Sequence, residues 1–194
     1  MQIPVLKRLP ILAAALILFP AGGHSADGGG WEPLFNGRDL SGWTAVHDVT
    51  FEAGDGCLRL VKGMGWLRSE RQFRDFVLEF EWRGLDGRYD SGVFFRAGAE
   101  GKPWPTDGWQ VNLRHDMAGG LVKGYTTIAP AQTPSVAPNE WCRFRLEVKG
   151  TRAVLRVNDE LAWDYDQLDA DIGYLGIQAE NHAFEFRNLR LRAW

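Results

Sequence analysis

From Val77 to Asp116 the chain alternates with a period of two, and that pattern admits few folds. The stretch reads V-L-E-F-E-W-R, then Y-D-S-G-V-F-F-R, and after a Pro/Gly-rich gap W-Q-V-N-L-R-H-D. Leu78, Phe80 and Trp82 fall on one face of a strand while Val77, Glu79 and Glu81 fall on the other. In the third run Trp109, Val111 and Leu113 share one face, with Gln110, Asn112 and Arg114 opposite them. This is a sheet with a dry side and a wet side. Carboxylate, amide and guanidinium groups beside aromatic rings suit a sugar, and the same pattern also describes a half-buried antiparallel sheet with a solvated outer face.

The rest of the chain keeps this rhythm. Short strands are expected at Val49 to Phe51, Cys57 to Val61, Trp66 to Ser69, Phe76 to Arg83, Gly92 to Arg96, Trp109 to Arg114, Arg143 to Lys149, Ala153 to Asn158, Tyr174 to Ala179 and Phe184 to Leu191. No dozen residues keep a helical period. Many strands at short spacing imply an all-β fold, a jelly-roll β-sandwich of two antiparallel sheets. Asp159-Glu160 has the character of a hairpin turn. Phe184 and Phe186 lie on one parity and Leu189 and Leu191 on the other, so a bulge is expected near Asn188.

Lys7 and Arg8, an apolar run from Leu9 to Phe19, and small residues through Ala26 follow the order of a secretory signal. The apolar run is too short to span a bilayer as a helix. Residues 1–26 are therefore read as a signal peptide and 27–194 as one domain, periplasmic or secreted, with no membrane span after cleavage. Without Lys7 and Arg8, 20 basic residues face 25 acidic ones, which argues against a nucleic-acid partner. Cys57 and Cys142 could form a disulfide in an oxidising compartment or remain two thiols. Oligomeric state is not legible.

Several blocks, in order, resemble a bacterial exported family, the 3-keto-disaccharide hydrolases. They are G-W-E-P-L-F-N-G-R-D-L-S-G-W from Gly30, W-L-R-S-E-R-Q-F-R-D-F-V-L-E-F-E-W-R from Trp66, D-S-G-V-F-F-R from Asp90, G-G-L-V-K-G-Y from Gly119, N-E-W-C-R-F-R-L-E-V from Asn139, G-Y-L-G-I-Q from Gly173 and E-F-R-N-L-R-L from Glu185. The resemblance implies a concanavalin A-like sandwich whose concave sheet receives an oxidised sugar, and cleavage of glycosides carrying a ketone at the third ring carbon. Such a ketone acidifies the C2 proton. A base can then remove it, the enolate can expel the C1 substituent, and water can add back. The chain departs from the family pattern at Asp90, where an Asn is usual before Ser-Gly, at Gln110, where a Glu is common, and at Glu180, where a His is usual. A sugar-binding module without catalysis, on the same fold, is the alternative reading.

On the strand from Tyr174, Gln178 and Glu180 share the polar face, and Glu180 is the first choice for general base. His182, Glu81 and Asp90 complete the candidate catalytic set. Each has a structural reading too: a loop cap for His182, a solvated strand face for Glu81, a turn aspartate for Asp90. Arg96 and Lys123 are candidate partners of an enolate oxygen or a hydroxyl, or equally surface charges holding a neighbouring carboxylate; Gln110, Asn112 and Gln178 are candidates for vicinal hydroxyls, and Trp104 and Trp109 for stacking platforms. Trp31, Trp43, Trp82 and Trp141 read as packing residues. His115 and Asp116 form a possible ligand pair for a divalent metal, but two residues do not make a site and no cofactor is assignable.

Overall fold

The computed structural model describes residues 30–132 and 136–194; the signal-peptide reading lies outside them. Thirteen strands and no helix make up these residues: β1 (Glu32–Pro33), β2 (Trp43–Gly54), β3 (Cys57–Phe73), β4 (Phe76–Gly84), β5 (Gly92–Ala97), β6 (Trp109–Asn112), β7 (Leu121–Lys123), β8 (Thr126–Ala129), β9 (Cys142–Lys149), β10 (Arg152–Val157), β11 (Glu160–Tyr165), β12 (Gly173–Glu180) and β13 (Phe184–Ala193). All pairings are antiparallel, in the order β11-β10-β9-β4-β13-β3-β12-β5-β6-β7-β8, with β2 beside β3 and β1 beside β13. This is the concanavalin A-like jelly roll expected of the alternation.

One strand serves both layers. The start of β3 pairs Leu58 and Arg59 with β13, while Met64 to Phe73 pair with β12. The strand turns at Gly63, whose φ of +107° is costly for other residues and whose added β-carbon would collide with the Asp48 carbonyl oxygen. The three short runs expected between Val49 and Ser69 are therefore two long strands; the glycines that looked like breaks bend β3 without ending it.

Between the layers lies an aromatic core. Phe80 stacks on Phe144 with ring centroids 5.0 Å apart, and Trp82, Tyr89, Phe184 and Phe186 close around them. Each such side chain contributes roughly 1.5–3 kcal/mol by leaving water. The bulge in β13 is present: Asn188 has φ +53° and the register against β4 shifts between Arg187 and Arg190, so Phe186, Leu189 and Leu191 all reach the core. The β10–β11 hairpin sits one residue earlier than expected, turning on Asn158 and Asp159, both left-handed, with Val157 paired to Glu160. Glu160 is a strand residue because the left-handed region favours Asn and Asp over Glu. Cys57 and Cys142 are separate thiols.

Candidate functional site

The outer face of the β3–β12–β5–β6–β7 layer carries a groove of about 360 Å³, lined by Asp90, Trp104, Gln110, Asn112, Arg114, Met117, Val122, Gly124, Tyr125, Thr127, Gln178 and Glu180. Strand register assembles it. Gln110 on β6 lies opposite Phe94 on β5 and Val122 on β7, Asn112 lies opposite Gly92, and Gln178 on β12 lies opposite Trp66 on β3. Trp66, Phe94 and Ala97 form a small apolar cluster on this side of the sheet, with Val46 and Trp104 packed against it.

Three contacts hold the segment that brings in Asp90. The Ser91 hydroxyl donates to the Gln178 carbonyl at 2.9 Å, Leu113 N–H donates to the Ser91 carbonyl at 2.9 Å, and His115 N–H donates to the Tyr89 carbonyl at 3.0 Å. Gly92 leaves room for the Gln110 amide, since a β-carbon there would run into it. Trp104 rides on a loop fastened by Arg68, whose guanidinium donates to the Ala99 carbonyl at 3.1 Å, by Gly98 N–H to Asp107 at 3.1 Å, and by the His47 ring against the Gly101 carbonyl.

Glu180 sits at the end of a row of amides. Gln110 Nε2 donates to Gln178 Oε1, and Gln178 Nε2 donates to Glu180 Oε2 at 2.7 Å. Burial, and then the charge of Asp90, raise the proton affinity of Glu180 against the opposing pull of Gln178, His182 and Arg114. Burial likewise raises Asp90 above the usual carboxylate range, with Arg114, His182 and His115 opposing. Neither carboxyl has an ion-pair partner among the described residues. Arg114 is held in a fork by Asp116, at 2.5 and 3.1 Å. Asn112 Oδ1 accepts Arg114 N–H at 2.7 Å, which leaves Nδ2 as the donor end of that amide. The groove thus gathers two carboxyls, a guanidinium and an amide donor within one concavity.

Of the residues singled out in the sequence, Glu180, Asp90, Gln110, Asn112, Gln178 and Trp104 come together here. His182 stands at the rim and pairs with Asp86 at 3.2 Å. Four others lie elsewhere. The side chain of Arg96 is 1% exposed, and its guanidinium donates to the Arg74, Gly150 and Ala170 carbonyls and to Asp75, so it fastens loops at the end of the sandwich. Trp109 is 2% exposed on the core side, its ring 5.4 Å from that of Tyr165, and offers no stacking surface. Lys123 pairs with Asp169 and covers the Trp109 ring at 4.9 Å. Glu81 is on the opposite layer, bonded to Arg187 at 2.6 Å and to Asn188 at 3.0 Å.

Sequence reasoning did not single out Arg114 or Tyr125 as site residues. Arg114 was already placed on the polar parity with Gln110 and Asn112, and that parity was its signal. Tyr125, 76% exposed at the groove, follows Gly124 in the turn into β8, whose T-T-I-A shows no alternation to mark a strand. No group of three or more His, Cys, Asp or Glu side chains among the described residues is arranged to hold a metal ion. No described helix is long and apolar enough to cross a membrane.

A larger cavity, about 580 Å³, opens on the other outer face and is lined by Glu79, Glu81, Arg143, Asn188 and Arg190 among others. Its carboxylates Glu79 and Glu81 are already bonded to arginines.

Comparison with known proteins agrees with this fold. The sequence model of a family described as a 3-keto-alpha-glucoside-1,2-lyase-like domain matches residues 30–192. No curated protein matches the chain in sequence. In structure, a presumed glycosyl hydrolase from Parabacteroides distasonis superposes with a TM-score of 0.71 at 18% identity, over 85% of this chain and 100% of that one. The carbohydrate binding module CBM66 from Bacillus subtilis gives 0.65 at 21% identity over 78% and 95%, and a Bacillus licheniformis beta-glucanase 0.55 at 10% over 88% and 100%. These likenesses are of fold.

Proposed function

The chain belongs to the 3-keto-alpha-glucoside-1,2-lyase-like domain family, and from that premise we propose that the groove cleaves 3-keto-glycosides by elimination followed by hydration. The observation that carries the proposal is the pair Asp90 and Glu180: two carboxyls with no salt bridge among the described residues, both raised in proton affinity, in one groove with Arg114 and Asn112. In this reading Glu180 takes the C2 proton and the C2–H electrons form the enolate of the C3 ketone. Arg114 and the Asn112 amide steady the enolate oxygen. The enolate then expels the C1 substituent, which takes a proton from Asp90. Water adds at C1 of the unsaturated ketone, a proton returns to C2, and the sum is hydrolysis. Trp104 and Tyr125 offer ring faces to the pyranose. Raised proton affinity suits both roles, because an acid must hold its proton near neutrality and a base must be strong enough to take one. The N-terminal signal pattern supports reading this activity as periplasmic or secreted.

The test is a product assay with a chromogenic 3-keto-glucoside, wild type beside Glu180→Gln. Turnover that collapses in a folded variant supports the reading. A wild type that binds sugar saturably and releases nothing across a range of pH and divalent metals replaces it with the binding-module alternative.

A further inference from the structure

The two buried amides next to Glu180 have a property that their positions alone do not suggest. Gln110 and Gln178 are 6% and 5% exposed, and they are joined end to end: Gln110 Nε2 to Gln178 Oε1, then Gln178 Nε2 to Glu180 Oε2. A buried carboxamide is costly unless bonded, so the direction of the row matters. With Glu180 ionised, its oxygen can only accept, so Gln178 must present its NH2 to Glu180 and its carbonyl to Gln110. With Glu180 protonated, the carboxyl O–H can donate to Gln178 Oε1. Gln178 then presents its NH2 to Gln110 Oε1. Both states are bonded throughout, and they interconvert by rotating two amides about their terminal bonds without moving a proton between residues.

We propose that Gln110 and Gln178 form a reversible amide relay that holds the Glu180 carboxyl in register and reverses its hydrogen bonds when Glu180 takes up a proton. Both are positioning residues, acting through Glu180. Their role in turnover rests on the reading of Glu180 as base, but the relay itself does not. A glutamate at position 110 would only accept, so it would fix Gln178 with its NH2 turned away from Glu180 and its carbonyl facing it, an arrangement satisfied only by protonated Glu180. The charged and titratable groups that face Glu180 are Asp90 before β5, Arg114 after β6 and His182 after β12, and none interrupts the row. Gly92 keeps the row closed, since any β-carbon there would displace the Gln110 amide.

The experiment is a carbon- and nitrogen-detected NMR titration of the full chain, following the Glu180 carboxyl carbon and the side-chain amides of Gln110 and Gln178. In the wild type all three are expected to move with one midpoint, and in Glu180→Gln both amide curves should lose that step. A Gln110 amide that stays flat while Glu180 titrates overturns the relay. Gln110→Glu is expected to raise the Glu180 midpoint by about one pH unit. If the row transmits the effect, that shift falls by more than half in a Gln178→Met background; a shift of equal size in both backgrounds means plain charge repulsion and also overturns the relay. Turnover is scored separately: coupled titration without activity sinks the proposed function and leaves the relay standing, and activity without coupled titration does the reverse.

Discussion

The two outer faces of the sandwich are made of the same residue types and do opposite things with them. On the β4–β9–β13 face every buried carboxylate is held. Glu185, with a side chain 1% exposed, bridges Arg59 and Arg83; Glu79 bridges Arg145 and Arg190; Glu81 takes Arg187 and Asn188. Burial raises the proton affinity of these three, but the guanidinium and amide bonds outweigh it and hold all of them below the usual carboxylate range. Trp31 lies under Arg145, Arg190 and Arg192, and Trp141 under Arg83 and Arg187, so these half-buried rings are covered. Across the molecule, Asp90 and Glu180 are raised instead, and half-buried Trp104 and exposed Tyr125 line the groove without an arginine over their rings among the described residues. Saturated charges lock a surface; unsaturated ones leave it able to bind and to exchange protons.

Substitutions can break this contrast from either side. Glu180→Gln, which removes the proposed base, is expected to lower kcat by about 10²–10⁴-fold with the fold retained, read in the 3-keto-glucoside assay. Glu185→Ala should act on stability, removing a buried carboxylate that two largely solvated guanidiniums hold, at a cost of about 1–3 kcal/mol, measurable by denaturant unfolding. Trp104→Ala should weaken sugar binding about tenfold, seen in KM or by calorimetry, with a smaller loss of stability from the apolar cluster it packs against.

The pH dependence of the two faces has opposite sign. Glu79, Glu81 and Glu185 are lowered on folding, so their contribution is complete above the unfolded carboxylate value, about 4.3, and fades as pH falls through their folded values. Asp90 and Glu180 are raised, so holding them ionised at neutral pH costs stability, and that cost disappears as pH falls through their raised values. Asp90→Asn is therefore expected to raise Tm modestly at neutral pH while lowering turnover; a fall in Tm would show that Asp90 is a structural carboxylate. The smallest effect belongs to an exposed pair of the locked face: Arg143→Gln, breaking the bridge to Asp159, should change stability by about 0–1 kcal/mol.

Much of this architecture was legible in the chain itself. A period of two depends only on neighbouring residues, so the all-β class, the wet and dry faces and the β13 bulge near Asn188 followed from local order. The side chains on one polar parity, Gln110 with Asn112 and Gln178 with Glu180, were likewise found. What local order could not distinguish was Glu81 from Glu180. Each is a carboxylate on the polar side of a strand, and only register separates them: β13 sets Arg187 opposite Glu81, while β3 sets Met64 opposite Glu180. Arg96 and Lys123 were misplaced for the same reason, since their partners Ala170 and Asp169 come from far along the chain. The sequence by itself determined the layers and which way each side chain points. The tertiary structure decided which charges meet, because strand pairing, a long-range event, chooses every group's partner.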